Sequence, residues 1–473
     1  MNKIAALGAP MPPRAETVAA WRAVAAGFCA SLVGIGLARF AYTPLLPAIV
    51  GAHWFQASQA AYLGAANLAG YLAGALLARP VAAGMPAATK IRAMMLLTSA
   101  ALIACGYPLS FAWYSVWRFL SGLSGGALMV LAAPLVLAHV SPSRRGLAGG
   151  LIFMGIGVGI AASGTLVPLL LQRGLRDVWL GLAVLSLVLT AAAWKEWPHA
   201  VVPAKAQAAP QGLPPVAALR VLYAEYALNA AGWVPHMIFL VDYVARGLGL
   251  GQGLDVGGRY WVLFGIGATV GPLVTGVLAD RVGPARALRI ALVIETFGVA
   301  IPALGLGSVW LGVSSVVVGA FVTGTVPLVL GQVQVLLAHH PAQQGPAWTR
   351  ATVAFALCQA VAAYAMSFIF DISGHAYGLL FGIGSGAILL ALGIDVVAGW
   401  RARRAAGRWP LTRRYAFCIS AADDKWRLTR CSRSAVSPAR PRPTSHSAPG
   451  SGTWPGRPPP PPVPPPPGAA SLT

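Results

Sequence analysis

The chain has 473 residues, 57% of them hydrophobic and 10% charged, where a soluble domain carries roughly 45–50% and 25%. These proportions exclude a soluble globular protein and define an integral membrane one. The formal net charge of +22 does not mark a nucleic-acid binder, which needs a basic face on a soluble domain: residues 401–473 hold 13 Lys/Arg against 2 Asp/Glu, and most other cations fall in alternate loops.

Breaking the chain at charges, prolines and polar turns gives twelve apolar segments long enough to span a bilayer, at about 22–50, 57–79, 90–110, 112–138, 145–172, 176–195, 217–246, 258–280, 286–306, 309–337, 347–371 and 375–400. Residues 1–21 show no cleavable-signal pattern and read as a cytoplasmic N-terminal segment. Segment one contains GIGLARFAYTPLLPAI, Gly34 to Ile49. Arg39 lies roughly 25 Å into that segment, where a charge costs about 3 kcal/mol or more and therefore faces a cavity or a partner. Pro44 and Pro47 follow, removing backbone donors and inviting a bend.

Basic residues orient the chain. With a cytoplasmic N-terminus, that side collects fifteen Lys/Arg before residue 401, from Lys3 to Arg350, and the other only Arg173, Arg176, Arg246 and Arg259. Twelve spans return the C-terminus to the cytoplasm, so both termini lie there, as in a bacterial inner-membrane protein. The loop 196–216, rich in Pro, Ala and Gln, reads as a cytoplasmic linker between a bundle at 22–195 and a second at 217–400. Each half opens with a polar, proline-bearing segment, GLARFAYTPLLP in one and NAAGWVPHMIFLVDY in the other. Paired interrupted segments of this kind point to a transporter binding site.

Segment seven places Glu225, Asn229, Trp233, His236 and Tyr243 on one helical face, with Asp242 one residue off the stripe. It reads either as a packed aromatic stripe or as a cavity face opposite Arg39, with Glu225 or Asp242 exchanging protons. Asn67 and Tyr71 form an i, i+4 pair in segment two, and Gln332 and Gln334 fall in segment ten. Each suits a cavity contact or an interhelical hydrogen bond. Glu295, Asp371 and Asp395 read as solvated or capping residues near segment ends. Five cysteines show no disulfide or metal-site spacing. No nucleotide-binding G-x-x-x-x-G-K-[ST] and no catalytic cluster appears, so neither a cofactor, a metal nor an enzymatic activity is expected. Residues 401–473, rich in Arg, Ser and Pro and ending in a proline run, read as a disordered tail: a docking site for an SH3-like partner or anionic lipid, or an extension without function, which the composition favours.

The loop after segment eight reads Gly276-Val-Leu-Ala-Asp280-Arg281-Val-Gly283, with a basic residue at Arg286. It resembles the loop signature of the major facilitator superfamily. The resemblance implies a gating loop in which Gly276 allows close helix approach, Asp280 and Arg281 cap helix ends and pair across helices, and Gly283 makes the turn. In the first half Gly74, Leu76 and Arg79 are in register, but Ala78 and Val81 replace the aspartate and the glycine. Segment four supplies Arg118-Phe-Leu-Ser-Gly122-Leu-Ser-Gly125-Gly126, similar to the superfamily's R-x-x-x-G-x-G pattern. This implies a buried arginine near the proton or solute path; snorkelling at the outer edge is the other reading. Segment five lacks the Gly-Pro pair of the drug/proton antiporters. Gly36, Ala38-Arg39-Phe40-Ala41-Tyr42, Leu45 and Pro47, with Gln59, Asn67, Gly70-Tyr71-Leu72 and Gly74-Ala75, resemble the YbfB/YjiJ-type transporters.

The expected architecture is therefore all-α integral membrane, twelve transmembrane helices in two pseudo-symmetric six-helix bundles of the major facilitator fold. The expected function is secondary active transport of a small anionic or polar solute by alternating access, proton-coupled, by a monomer in the lipid bilayer. Arg39, Tyr42, Asn67, Tyr71, Asn229, Trp233 and His236 are the candidate solute contacts, and Glu225, Asp242 and Arg118 the candidate proton carriers. A multidrug exporter and a non-transporting sensor on the same fold are the rivals.

Overall fold

The computed structural model describes residues 13–81, 84–198, 213–244, 253–374, 376–407, 417–422 and 425–430. Most of the 196–216 linker, and the tail at 408–416 and 431–473, lie outside them. The first span is composite: α1 (Pro13–Ser31) widens into a π-helix (Leu32–Phe40) and resumes as α2 (Tyr42–Gly51). The widening ends just before Pro44 and Pro47, which withdraw two N–H donors from the ladder. Next come α3 (Ala57–Leu77), α4 (Ala87–Cys105), α5 (Phe111–Leu137), α6 (Arg145–Leu171) and α7 (Leu175–Ala193).

The second half repeats this plan. Its first span breaks at Trp233 and Phe239 into α8 (Val216–Gly232), α9 (Val234–Ile238) and α10 (Leu240–Asp242). Pro235, second in α9, removes a donor at the first break. Then follow α11 (Gly253–Val282), α12 (Pro284–Ala300), α13 (Ser308–Leu336), α14 (Pro341–Ile372) and α15 (Tyr377–Gly407). Among the described residues ten helices are individually long and apolar enough to cross a membrane; α3, apolar over Tyr62–Leu77, and the broken α8–α10 complete the twelve spans. Interruptions therefore fall in the first span of each half, where the sequence placed them.

Packing distinguishes the two membrane faces. One continuous core joins both halves on the side that carries the linker, from Leu128 and Ile152 to Phe264 and Trp348. Toward the far side each half keeps its own cluster: Leu37, Tyr42, Leu45 and Trp179 in the first, Val234, Phe239, Met366 and Leu380 in the second. Along one flank α6 and α11 stay together, from Gly146 against Gly276 to Gly164 against Val262. On the opposite flank α3 and α14 meet at Arg79 and Thr349, whereas farther along Tyr62 and Tyr364 are 65% and 61% exposed. The bundles are joined along the α6–α11 flank, and on the α3–α14 flank they meet at the linker side and part toward the far side.

Residues 407–473 form a separate unit. Within it β1 (Phe417–Ala422) pairs antiparallel with β2 (Lys425–Arg430), Ile419 facing Leu428 in the register. Two strands alone are marginally stable, so this hairpin is a local feature and not a second core.

Candidate solute site at the seam between the bundles

The π-helix carries Arg39 to the seam. Its guanidinium donates to Gln359 Oε1 of α14 at 2.7 Å, crossing from the first bundle to the second. Gln359 is fully buried, and its amide nitrogen reaches Met237 Sδ at 3.6 Å. The Arg39 cation sits 5.3 Å from the Phe40 ring centroid and 5.4 Å from that of Tyr71 on α3. Among the described residues no carboxylate pairs with Arg39. A half-buried guanidinium with a neutral partner and two aromatic faces retains its charge and most of its donors, which suits an anionic or strongly polar group.

The other candidates separate from this point. Tyr42 donates to Ala60 O at 2.7 Å and packs in the first bundle's aromatic cluster, 6.5 Å from Trp179. Asn67 donates to the Arg118 carbonyl at 3.1 Å, holding α3 to α5. Arg118 is 1% exposed, stacks 4.2 Å over Tyr42 and donates to the Ala38 carbonyl at 2.9 Å, where Ser121 also donates. It is a buried residue that supports the π-helix, not a snorkelling anchor. Trp233 joins an aromatic ladder with Phe355, Tyr226 and Trp348, whose indole N–H donates to Met129 O across the seam at 3.0 Å. His236 bonds Ser314 Oγ at 2.7 Å inside the second bundle. Asp242 accepts from Tyr377 at 2.5 Å near the far end of that bundle.

Two contacts close the linker side. Gly283, at φ +86°, makes the turn after α11. Asp280 there accepts from the backbone N–H groups of Gly146 and Leu147 at 2.7 and 2.8 Å, capping α6 of the other bundle. The helices come close enough because neither has a side chain at the crossing: a Cβ on Gly276 would sit 2.3 Å from Gly146 O. On the symmetric flank Ala78 offers no carboxylate, and Arg79 instead donates to Thr349 Oγ1 at 3.0 Å. The Arg79 guanidinium lies against Gly345, which sits past the first turn of α14, and Pro346 follows without an N–H. Arg281 and Arg286 flank the Gly283 turn, and among the described residues neither makes a hydrogen bond or ion pair across the seam.

Two acids of the second bundle are buried, and neither bonds to Arg39. Glu225 on α8 is 5% exposed. Glu295 corrects the sequence reading: it is no capping residue but fully buried, eleven residues beyond Pro284 in α12. Asn229 donates to its Oε2, Thr325 donates to Asn229 Oδ1 at 3.3 Å, and Oε1 lacks a partner. Asp395 forms an ion pair with Arg289. Gln359 and Glu295 are the residues that sequence reasoning missed. Both were visible only as polar residues in apolar segments, a mark they share with Gln332 and Gln334.

Two bundles of six spans, interrupted first spans and a cation at their junction define a membrane transporter of major facilitator type. Solved structures agree on the fold. The human organic anion transporter MFSD10 (TETRAN) matches with a TM-score of 0.64 at 16% identity over 81% of this chain and 100% of its own. The E. coli fucose:proton symporter FucP gives 0.63 at 12% over 81% and 99%, and a bacterial homologue of the iron transporter ferroportin, in an outward-facing state, gives 0.58 at 13% over 80% and 100%. No curated protein matches the sequence. The profile of the family described as uncharacterised MFS-type transporter YbfB matches residues 31–396, and the chain belongs to that family. It is a multi-pass membrane transporter of a small solute and not an enzyme.

Proposed function

We propose that this transporter moves a small anionic or strongly polar solute across a bacterial inner membrane, by rocking of the two bundles about the seam, coupled to protons. The observation that carries this reading is the Arg39 guanidinium held between the bundles by a neutral glutamine and no acid. A solute anion would bind Arg39 over the Tyr71 face and compete with Gln359 for the guanidinium. Trp233, Tyr42, Asn67, Asn229 and His236 would act behind it, holding the interrupted helices in place. The linker-side closure by Asp280 and Arg79 supports alternating access, with release of those contacts opening the other side. Both termini are assigned to the cytoplasm by the distribution of basic residues, and the carrier works as a monomer.

A thermal-shift screen of anionic solutes, followed by uptake into proteoliposomes with and without a pH gradient, tests the reading. Arg39→Ala should lower uptake of the hit about 100-fold, as expected for roughly 3 kcal/mol from a lost charge-assisted contact, and Arg39→Lys should recover part of it. Wild-type flux in a well-inserted Arg39→Ala protein removes Arg39 from the site. Uptake that ignores the pH gradient removes proton coupling.

A further inference from the structure

The second bundle contains a cavity of about 1130 Å³ between α8, α12, α13 and α15, lined by no residue of the first bundle. Its mouth is built from helix ends on the linker side: Pro215 and Ala217 before and at the start of α8, Ala285 in α12, Arg401 in α15. Glu225 lies nine residues past Val216, so about 13 Å inside. It makes no hydrogen bond among the described residues and lines the cavity with Leu292 and Leu390. Gln332 adds a second acceptor, a buried Oε1 without a partner. One turn deeper on the same face, Asn229 holds Glu295.

Charged and polar groups around the two acids come from α8, α12, α13 and α15. These are Asn229 from α8, Arg289 and Thr296 from α12, Thr325 and Gln332 from α13, and Asp395 and Ser385 from α15. Of the two cations that line the cavity, Arg289 is paired with Asp395 and Arg401 stands at the mouth. A buried carboxylate without a free cation costs several kcal/mol when ionised, and holding a proton removes that cost. The linker-side seam is meanwhile closed by Asp280 and Arg79. The cavity therefore reaches Glu225, with Glu295 one layer behind it at Asn229, from a side to which the Arg39 site is shut.

We propose that Glu225 and Glu295 form a proton-holding pair that exchanges with the linker-side compartment through this cavity, while the solute site faces the far side. Each carboxylate takes one proton to become a neutral acid and returns it as the same proton to water at the mouth. Opposite access for solute and proton then exists in one conformation. The use of the pair in transport rests on the proton-coupled reading, but its existence does not.

Infrared difference spectroscopy on the full chain in lipid, at neutral pH and without solute, tests it. Glu225→Gln and Glu295→Gln should each remove a protonated-carboxyl stretch. On transfer to heavy water, the Glu225 signal should shift with wild-type speed in Arg39→Ala and at least tenfold more slowly in Ala218→Trp, which narrows the mouth; Ala398→Trp serves if Ala218→Trp does not fold. If neither Gln variant loses such a band, or if a folded mouth variant exchanges at the wild-type rate, the proposal is overturned. Bands that behave as stated in a protein whose flux ignores a pH gradient uphold the pair and defeat only the coupled-transport reading.

Discussion

The two halves share a plan and carry opposite buried charge. In the first, Arg39 and Arg118 carry charge into the interior of the spans, their guanidinium groups resting on aromatic rings and a backbone carbonyl. In the second the buried groups are the carboxyls of Glu225 and Glu295. Duplicate architecture has been divided by charge, with guanidinium groups buried in one half and carboxyl groups in the other. The linker-side loops differ in the same sense. Asp280 reaches across to two first-turn amide donors of α6, while in the other half the carboxylate is absent at Ala78 and Arg79 makes the crossing to Thr349.

The sharpest way to break the charge division is to place an acid opposite Arg39. Gln359→Glu should pair with the guanidinium and lower uptake of an anionic solute at least 100-fold, measured in proteoliposomes, since roughly 3 kcal/mol of competition is expected from a charged partner. The thermal midpoint should be unchanged or raised. Removing the cap is the next largest change. Asp280→Ala should speed hydrogen exchange at the amides of Gly146 and Leu147 about tenfold, a cap being worth roughly 1 kcal/mol or slightly more. Gln359→Leu, which removes a neutral partner from a guanidinium that keeps its charge, should change uptake only about threefold. Smallest of all, Ala78→Asp should alter exchange at the start of α14 less than twofold, because Gly345 and Pro346, beside this crossing, lie past its first turn and offer no free amide donor.

Much of the fold was legible because its signals are local. Apolar length gave the spans, and the prolines at 44, 47 and 235 marked the interrupted ones. The Gly276-to-Gly283 loop announced a close crossing and a turn, and φ at Gly283 and the Gly146 contact show both. The candidate site was legible only at Arg39 and Tyr71, which the structure brings together. Tyr42 and Asn67 have the right spacing on the right helices, yet a hydroxyl and an amide in an apolar bundle are drawn to the nearest free carbonyl, here Ala60 and Arg118. Which polar side chain meets which carbonyl is set by helices far apart in sequence. Gln359 lies 320 residues from Arg39 and Glu295 lies 66 from Asn229, separations on which periodicity is silent.

The neutral partner of Arg39 has an electrical consequence. An empty carrier holds an uncompensated positive charge within the membrane, whereas a carrier loaded with a monovalent anion is neutral at the same place. Moving a full elementary charge across 100 mV is worth about 2.3 kcal/mol, so any part of the field crossed by Arg39 acts on the empty leg of the cycle. Membrane voltage should therefore set the rate of the unloaded return and leave the loaded stroke nearly untouched.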